Sequence, residues 1–197
     1  MDFNTVKEFE IEIAEFYGAP YAVAVDCCTH AIELCLRYQK PKKVRFPTRT
    51  YVSIPLLGEK LDLDWSWDDS EWKDYYTIGN TNIIDAAVYW KEGGYVPNSL
   101  MCLSFQFQKH LSLGKGGMIL TDSLEAAESL KLMSYDGRTP DKPWRDQNIS
   151  TMGYHYYMTP ETAQAGLDKL EEAQSRLPRQ WAWGDWPDLR NMKVFKY

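Results

Sequence analysis

Cysteine is scarce in this chain of 197 residues, with four in all: Cys27, Cys28, Cys35 and Cys102. They are too few and too irregular for a disulfide scaffold. No Cys-x-x-Cys pair or Cys/His array offers a structural zinc site, and a bridge between the neighbours Cys27 and Cys28 would close a strained ring. Free thiols in a reducing compartment are the expectation. Long apolar runs are missing too; none approaches the ~20 residues that cross a bilayer. The opening MDFNTVKEFEIEIAEF is acidic and amphipathic and lacks the basic and apolar regions of a secretory signal. The expected location is therefore the cytoplasm, with no membrane partner. Basic residues are outnumbered, 22 against 28 acids, for a net charge of -6. Such a surface repels phosphate backbones and argues against a nucleic-acid partner. Repeats and low-complexity tracts are absent. With 44% hydrophobic and 25% charged residues, the composition is that of a globular protein.

What is present reads as alternating elements. Val6, Phe9, Ile13 and Phe16 fall on one face of a helix over residues 6–17, stopped by Gly18 and Pro20. YAVAV at 21–25 is a short buried strand, Asp26 to Thr29 a polar turn, and residues 30–38 a helix; strand, turn and helix open an α/β unit. Further strands are expected at 42–46, 82–87, 100–107 and 118–121, the last two closing a hairpin through Gly116 and Gly117. Residues 61–76 are acidic and tryptophan-rich and begin with strand-like alternation. A helix follows Asp122 over 124–134, and Thr159 with Pro160 caps another over 161–177. The reading is an α/β domain over 1–177 with a mostly parallel central sheet flanked by helices, and a C-terminal extension over 178–197. Three tryptophans mark that extension, and its lack of periodicity assigns it no element.

Four short stretches carry residues with chemical capacity. In DCCTHA (26–31), Thr29 and His30 stand where a strand meets a helix, where N–H groups and the helix dipole favour an anion; Thr29 reads equally as the helix's own cap. In IIDAA (83–87), Asp85 follows an apolar strand at the edge where α/β proteins place ligands. It either meets a cationic partner, such as a protonated ring nitrogen, or caps the following turn. In SFQFQKH (104–110), Lys109 sits past a strand and before a glycine-rich loop. A lysine desolvated there can attack a carbonyl; an isolated lysine is otherwise a surface charge. Ser104 could add a hydroxyl to an anion site. Tyr51, in RTYVS, lies over a flat ligand or in the core. His110 and His155 read as bases, phosphate ligands or structural histidines.

The order of these stretches resembles the pyridoxal-phosphate-dependent sugar aminotransferases of the DegT/DnrJ/EryC1/StrS family. The likeness runs from VKEFEIEIAEFYGAPYAVAVDCCTHAIELCLR through TYVS, IIDAA and SFQFQKHLSLGKGGMILTD to MGYHYYMTPETAQAGLDKLE, most of residues 6–175. It implies the large domain of the fold type I core, with the small C-terminal domain largely missing. The resemblance further implies that Lys109 condenses with the aldehyde of pyridoxal 5′-phosphate and that Asp85 pairs with the ring nitrogen. Cys28, Thr29, the amide of His30 and Ser104 hold the phosphate. Tyr51 stacks on the ring, and His155 stands where a family asparagine reaches the phosphate of a neighbouring subunit. A homodimer with a shared active site follows, with an amino-acid donor such as glutamate and a nucleotide-linked keto-sugar as substrates.

The sequence departs from the family at several of these points. Cys27-Cys28-Thr29 replaces Ser-Gly-Thr, Val88 replaces a glutamine that touches the cofactor, and Tyr157 replaces an arginine. The segment between Tyr51 and Asn82 is short. Two other functions compete with transamination. One is a reduced, non-catalytic module binding a partner through Trp65, Trp67, Trp72, Trp181, Trp183 and Trp186, unless these cover core. The other is a different reaction of the same cofactor, such as sugar dehydration.

Overall fold

The computed structural model describes residues 2–196. Helix α1 (Asn4–Tyr17) buries Phe9, Ile13 and Tyr17 along one face and ends at Gly18 in a left-handed conformation. Strand β1 (Tyr21–Val25) leads into α2 (Cys28–Gln39). Then come β2 (Lys43–Pro47), α3 (Ser53–Lys60), β3 (Asp64–Asp68), the two-residue β4 (Tyr76–Thr77), β5 (Ile83–Asp85), β6 (Leu100–Ser104) and β7 (Gly117–Thr121). Helix α4 (Leu124–Ser134) is capped by Ser123, and α5 (Pro160–Ser175) by Thr159 with proline in its first turn, each cap side chain accepting a backbone N–H.

Five strands form one sheet in the order β1-β7-β6-β5-β4, while β2 and β3 pair separately. Leu100 and Cys102 of β6 face a cluster built with α2, α3 and α4; Met101 and Leu103 face the opposite cluster built with α1 and α5. The α/β architecture with a helix-flanked central sheet thus holds, and covering both faces explains the continuous apolar runs.

The expectation of a mostly parallel sheet does not hold. Within the five-stranded sheet β5–β6 is parallel, and β1–β7, β6–β7 and β4–β5 are antiparallel. The reason lies in the connections. β6 returns to β7, and β4 to β5, without a crossover helix, so each pair must run antiparallel. Buried strands read alike in either direction, so periodicity could not decide between them. β2 and β3 are parallel to each other but detached from the main sheet. The β4–β5 turn bridges the gap: at Gly79, with φ of +50°, an added Cβ would lie 2.6 Å from the Arg45 nitrogen of β2.

The C-terminal extension is laid along this second sheet in short 3₁₀ turns. Leu189 is buried, and its N–H donates to the Thr48 carbonyl at 2.9 Å. Phe195 packs edge-on against Trp67, and Trp186 against Trp72 and Trp181. All six tryptophans offered as an interaction surface are half-buried. They largely cover one another and the sheet beneath, which favours the covering role.

Candidate active site

β1 and β6 both run antiparallel to β7, and β5 runs parallel to β6. The C-terminal ends of β1, β5 and β6 therefore share one edge of the sheet, the edge where open α/β sheets bind ligands. Asp85 ends β5 and Ser104 ends β6; α2 begins three residues after the end of β1. Gly117 lies between Ser104 and Val25 in the register. It has to lack a side chain, since a Cβ there would come within 2.5 Å of the Cys27 carbonyl carbon and 2.6 Å of the Cys28 nitrogen. That close approach presses the first turn of α2 against the sheet edge.

Asp85 is buried. Its Oδ1 accepts the Ala87 N–H at 2.9 Å, the turn-capping bond expected of an Asp there, and its Oδ2 accepts the Tyr76 hydroxyl at 2.5 Å. Burial pushes its carboxyl upward, while the Tyr76 and Ala87 bonds and the positive charge of Lys109 pull it back. Lys109 lies in the hairpin loop 105–116, half-buried, its N–H bonded to the Gln106 carbonyl at 2.8 Å. Its ammonium sits 6.0 Å from the centroid of the Trp186 ring. Cys28 completes the group: burial and the charge of Asp85 keep its thiol protonated well above the ordinary range, against the influence of Lys109.

The other predicted residues take different positions. Thr29 lies inside the first turn of α2, bonded to Ser53 Oγ at 2.7 Å; the cap is Cys27, which accepts the His30 N–H. The Thr29 cap is therefore corrected, because the helix starts at Cys28, two residues earlier than its apolar spacing shows. Tyr51 precedes α3 and is 54% exposed, so it is not a core aromatic. His155 is exposed and bonded to Asp136 Oδ2 at 3.0 Å, apart from Lys109 and Asp85 within the chain. The His110 Nε2–H donates to the Ala173 carbonyl at 2.7 Å. It is a structural histidine.

His30 sends its amide to the α2 turn and its ring elsewhere. Nδ1 meets Asp26 Oδ1 at 2.6 Å, and the ring stacks on Tyr156 at 3.7 Å. Burial alone would lower its pKa; the bonds to Asp26 and Cys27 outweigh burial and raise it from 6.5 to about 9. Asp26, Cys27 and His30 bring potential metal-ligand atoms within 4.8 Å of one another, but Asp26 also binds the Lys115 ammonium at 2.7 Å, which disfavours a cation. A folded-state pKa above the free value makes the protonated form stabilising. That contribution is complete below pH 6.5 and is lost as pH rises through about 9. Melting temperature should therefore fall across this window, and the fall should shrink in His30→Gln; equal slopes for the two proteins would contradict the assignment.

Residues that sequence reasoning did not name also shape the site. Tyr76 and Thr50 stand behind Asp85, joined hydroxyl to hydroxyl. A cavity of about 460 Å³ opens beside Lys109 and Ser104, with Arg176, Arg179 and Trp181 on its far wall. The signal for Tyr76 was available: YTIGNTNII has a glycine–asparagine turn between two apolar runs, the pattern of a hairpin that would set Tyr76 opposite Asp85. Arg176 caps the C-terminal end of α5 and Arg179 lies in the aperiodic extension, and neither position carried such a signal.

The fold and sequence have known counterparts. AtS13 from Actinomadura melliaura superposes with a TM-score of 0.77 at 20% identity, over 88% of this chain and 61% of that one. The sugar aminotransferase CalS13 from Micromonospora echinospora gives 0.68 at 15%, over 86% and 61%. Spr1654 from Streptococcus pneumoniae in its PLP form gives 0.72 at 18%, over 87% and 60%. A curated relative, the uncharacterized protein MJ1066 of Methanocaldococcus jannaschii, is 26% identical over 136 residues, 64% of this chain and 35% of that protein. The chain thus spans about a third of that relative's length and about three fifths of these solved structures. The profile of the DegT/DnrJ/EryC1/StrS aminotransferase family matches residues 1–54 and 91–183, passing over the stretch that contains Tyr76 and Asp85. The chain belongs to the DegT/DnrJ/EryC1/StrS aminotransferase family.

Proposed function

We propose that this chain is a pyridoxal-phosphate-dependent aminotransferase that moves an amino group from an amino-acid donor, glutamate, to a nucleotide-linked keto-sugar. The observation that carries the reading is that Asp85 ends β5 and Ser104 ends β6 on the C-terminal edge of the sheet, with the loop that bears Lys109 following directly on Ser104. The surroundings fit the cofactor. Each Asp85 oxygen holds one hydrogen bond and keeps a further acceptor site. The first turn of α2 opens on the same edge, and its His30 N–H, held by Cys27 Sγ at 3.5 Å, would turn to the phosphate in exchange for that weak bond.

When bound, the cofactor supplies an electron sink conjugated to the substrate carbon. Lys109 binds its aldehyde through Nζ and, once released, carries the proton to and from the substrate carbon. Asp85 holds the proton on the ring nitrogen. Cys28, Thr29, the His30 amide and Ser104 bind the phosphate, and Tyr51 lies against the ring. Val88 offers no donor at the position where the family has glutamine. Residues 1–177 form the cofactor-binding unit, with 178–197 as its extension. In a homodimer, His155 reaches toward the phosphate of the second site. Arg176 and Arg179 line the cavity, each beside a carboxylate of its own, Glu172 and Asp185, and the four free thiols suit a cytoplasmic protein. No helix among the described residues is long and apolar enough to cross a membrane.

The test is release of 2-oxoglutarate from glutamate when pyridoxal phosphate and a panel of keto-sugar nucleotides are supplied. Acceptor-dependent release is expected; its absence with every acceptor and amino donor would overturn the proposal.

A further inference from the structure

Asp85 could have been left to the Ala87 N–H alone, yet a second, larger device grips it. Tyr76 stands directly opposite Asp85 in the β4–β5 register. Its ring is buried, and its hydroxyl donates to Asp85 Oδ2 at 2.5 Å. A phenol has one proton. With that proton given to Asp85, the hydroxyl of Thr50, itself buried, must donate to the Tyr76 oxygen. The three groups form a directed chain, Thr50 to Tyr76 to Asp85, in which each donation strengthens the next.

The chain is braced from outside. A two-residue strand holds little by itself, and β4 is one. Trp72 packs on the Tyr76 ring at 5.0 Å between centroids, and Trp186 of the C-terminal extension packs on Trp72. Arg49 ties the pieces together: its carbonyl accepts the Trp72 indole N–H at 2.9 Å and its guanidinium donates to the Trp186 carbonyl at 2.7 Å. The same Trp186 ring lies over the Lys109 ammonium.

We propose that Tyr76 is a positioning residue for Asp85, fixing the orientation and ionisation of its carboxylate through the Thr50–Tyr76–Asp85 chain, with the C-terminal extension as the brace. The proposal rests on the reading of Asp85 as the partner of the cofactor's ring nitrogen and says how the chain prepares that partner. One anchor on each oxygen stops the carboxylate from rotating. The groups facing it are Tyr76 from β4, Cys28 from α2, Cys102 from β6 and Lys109 from the hairpin loop. Burial keeps both thiols neutral, so they neither supply nor remove charge. Burial, and then the charge of Asp85, hold the Tyr76 proton far above the ordinary phenol range. Tyr76 therefore stays a donor at every working pH and favours the anionic form of Asp85, against the burial that favours the neutral one.

The experiment follows the Asp85 carboxyl by carbon-13 NMR across a pH titration of the full chain without cofactor, with the signal assigned by its loss in Asp85→Asn. Tyr76→Phe keeps the ring against Trp72 and removes the hydroxyl. It should raise the Asp85 midpoint by about one pH unit, a tenfold change in proton affinity. Thr50→Val should raise it in the same direction by less, and it decides the matter if Tyr76→Phe fails to fold. A lost packing contact alone would leave the midpoint in place. Unchanged midpoints in the folded variants would overturn the proposal. A separate titration with pyridoxal phosphate should show about tenfold weaker binding by Tyr76→Phe. If the unmodified chain bound no cofactor, the functional reading would fail while the carboxyl titration still decided the role of Tyr76.

Discussion

Lys109→Ala is expected to abolish the visible colour that the protein gains with pyridoxal phosphate and to lower amino transfer by about 10³-fold or more. Two losses combine. The amine that would bind the cofactor's aldehyde is gone, and so is the group that moves the proton at the substrate carbon. The structure adds a third effect. After the Tyr76 and Ala87 hydrogen bonds, the charge of Lys109 also opposes the burial of Asp85; without it, the carboxyl moves further toward its neutral form. Cofactor held by its phosphate and ring alone should still associate weakly, so equilibrium dialysis should detect binding where absorbance shows no covalent capture. Retained colour and rate in Lys109→Ala would assign the chemistry to another amine.

Gly117→Ala should have the largest effect on the fold among single-methyl changes near the site. The added Cβ would meet two backbone atoms of the Cys27–Cys28 linkage at 2.5 and 2.6 Å. Backbone cannot swing aside as a flexible side chain does, so α2 must lift from the sheet edge or β7 must shift. The cost expected for such overpacking is about 3 kcal/mol. In a chain of this size that lowers the melting temperature by roughly 6–12 °C. The same displacement moves the α2 N-terminus away from Ser104, so phosphate-dependent cofactor binding should weaken in step. Gly184→Ala is the control: an added Cβ there meets nothing within 4 Å, and its melt should match that of the unaltered chain.

Elements whose signals are local were legible in the sequence. YAVAV became β1 with the same bounds, and Thr159 caps its helix as expected, while the cap of α4 is Ser123, one residue after the Asp122 expected to open it. The placing of Asp85 and Ser104 was legible as well, because each closes a short apolar run that became a strand ending on the same edge. What the sequence hid was set by tertiary partners. The β6–β7 hairpin followed from Gly116 and Gly117, but the antiparallel pairing of β7 with the distant β1 had no local signal. β4 has two residues, too few for any period, and is a strand only through its pairing with Ile84 and Asp85 of β5. The C-terminal extension has no repeat of its own. Its Trp186 is held by Trp72 and Arg49 and its Phe195 by Trp67, all distant in sequence.

The claim on which the account turns is a covalent link between one amine and the cofactor. The protein incubated with pyridoxal phosphate, reduced with borohydride and digested should yield one phosphopyridoxyl peptide, with the modification on Lys109. Modification spread over exposed lysines such as Lys43 and Lys115, with Lys109 unlabelled, would contradict it.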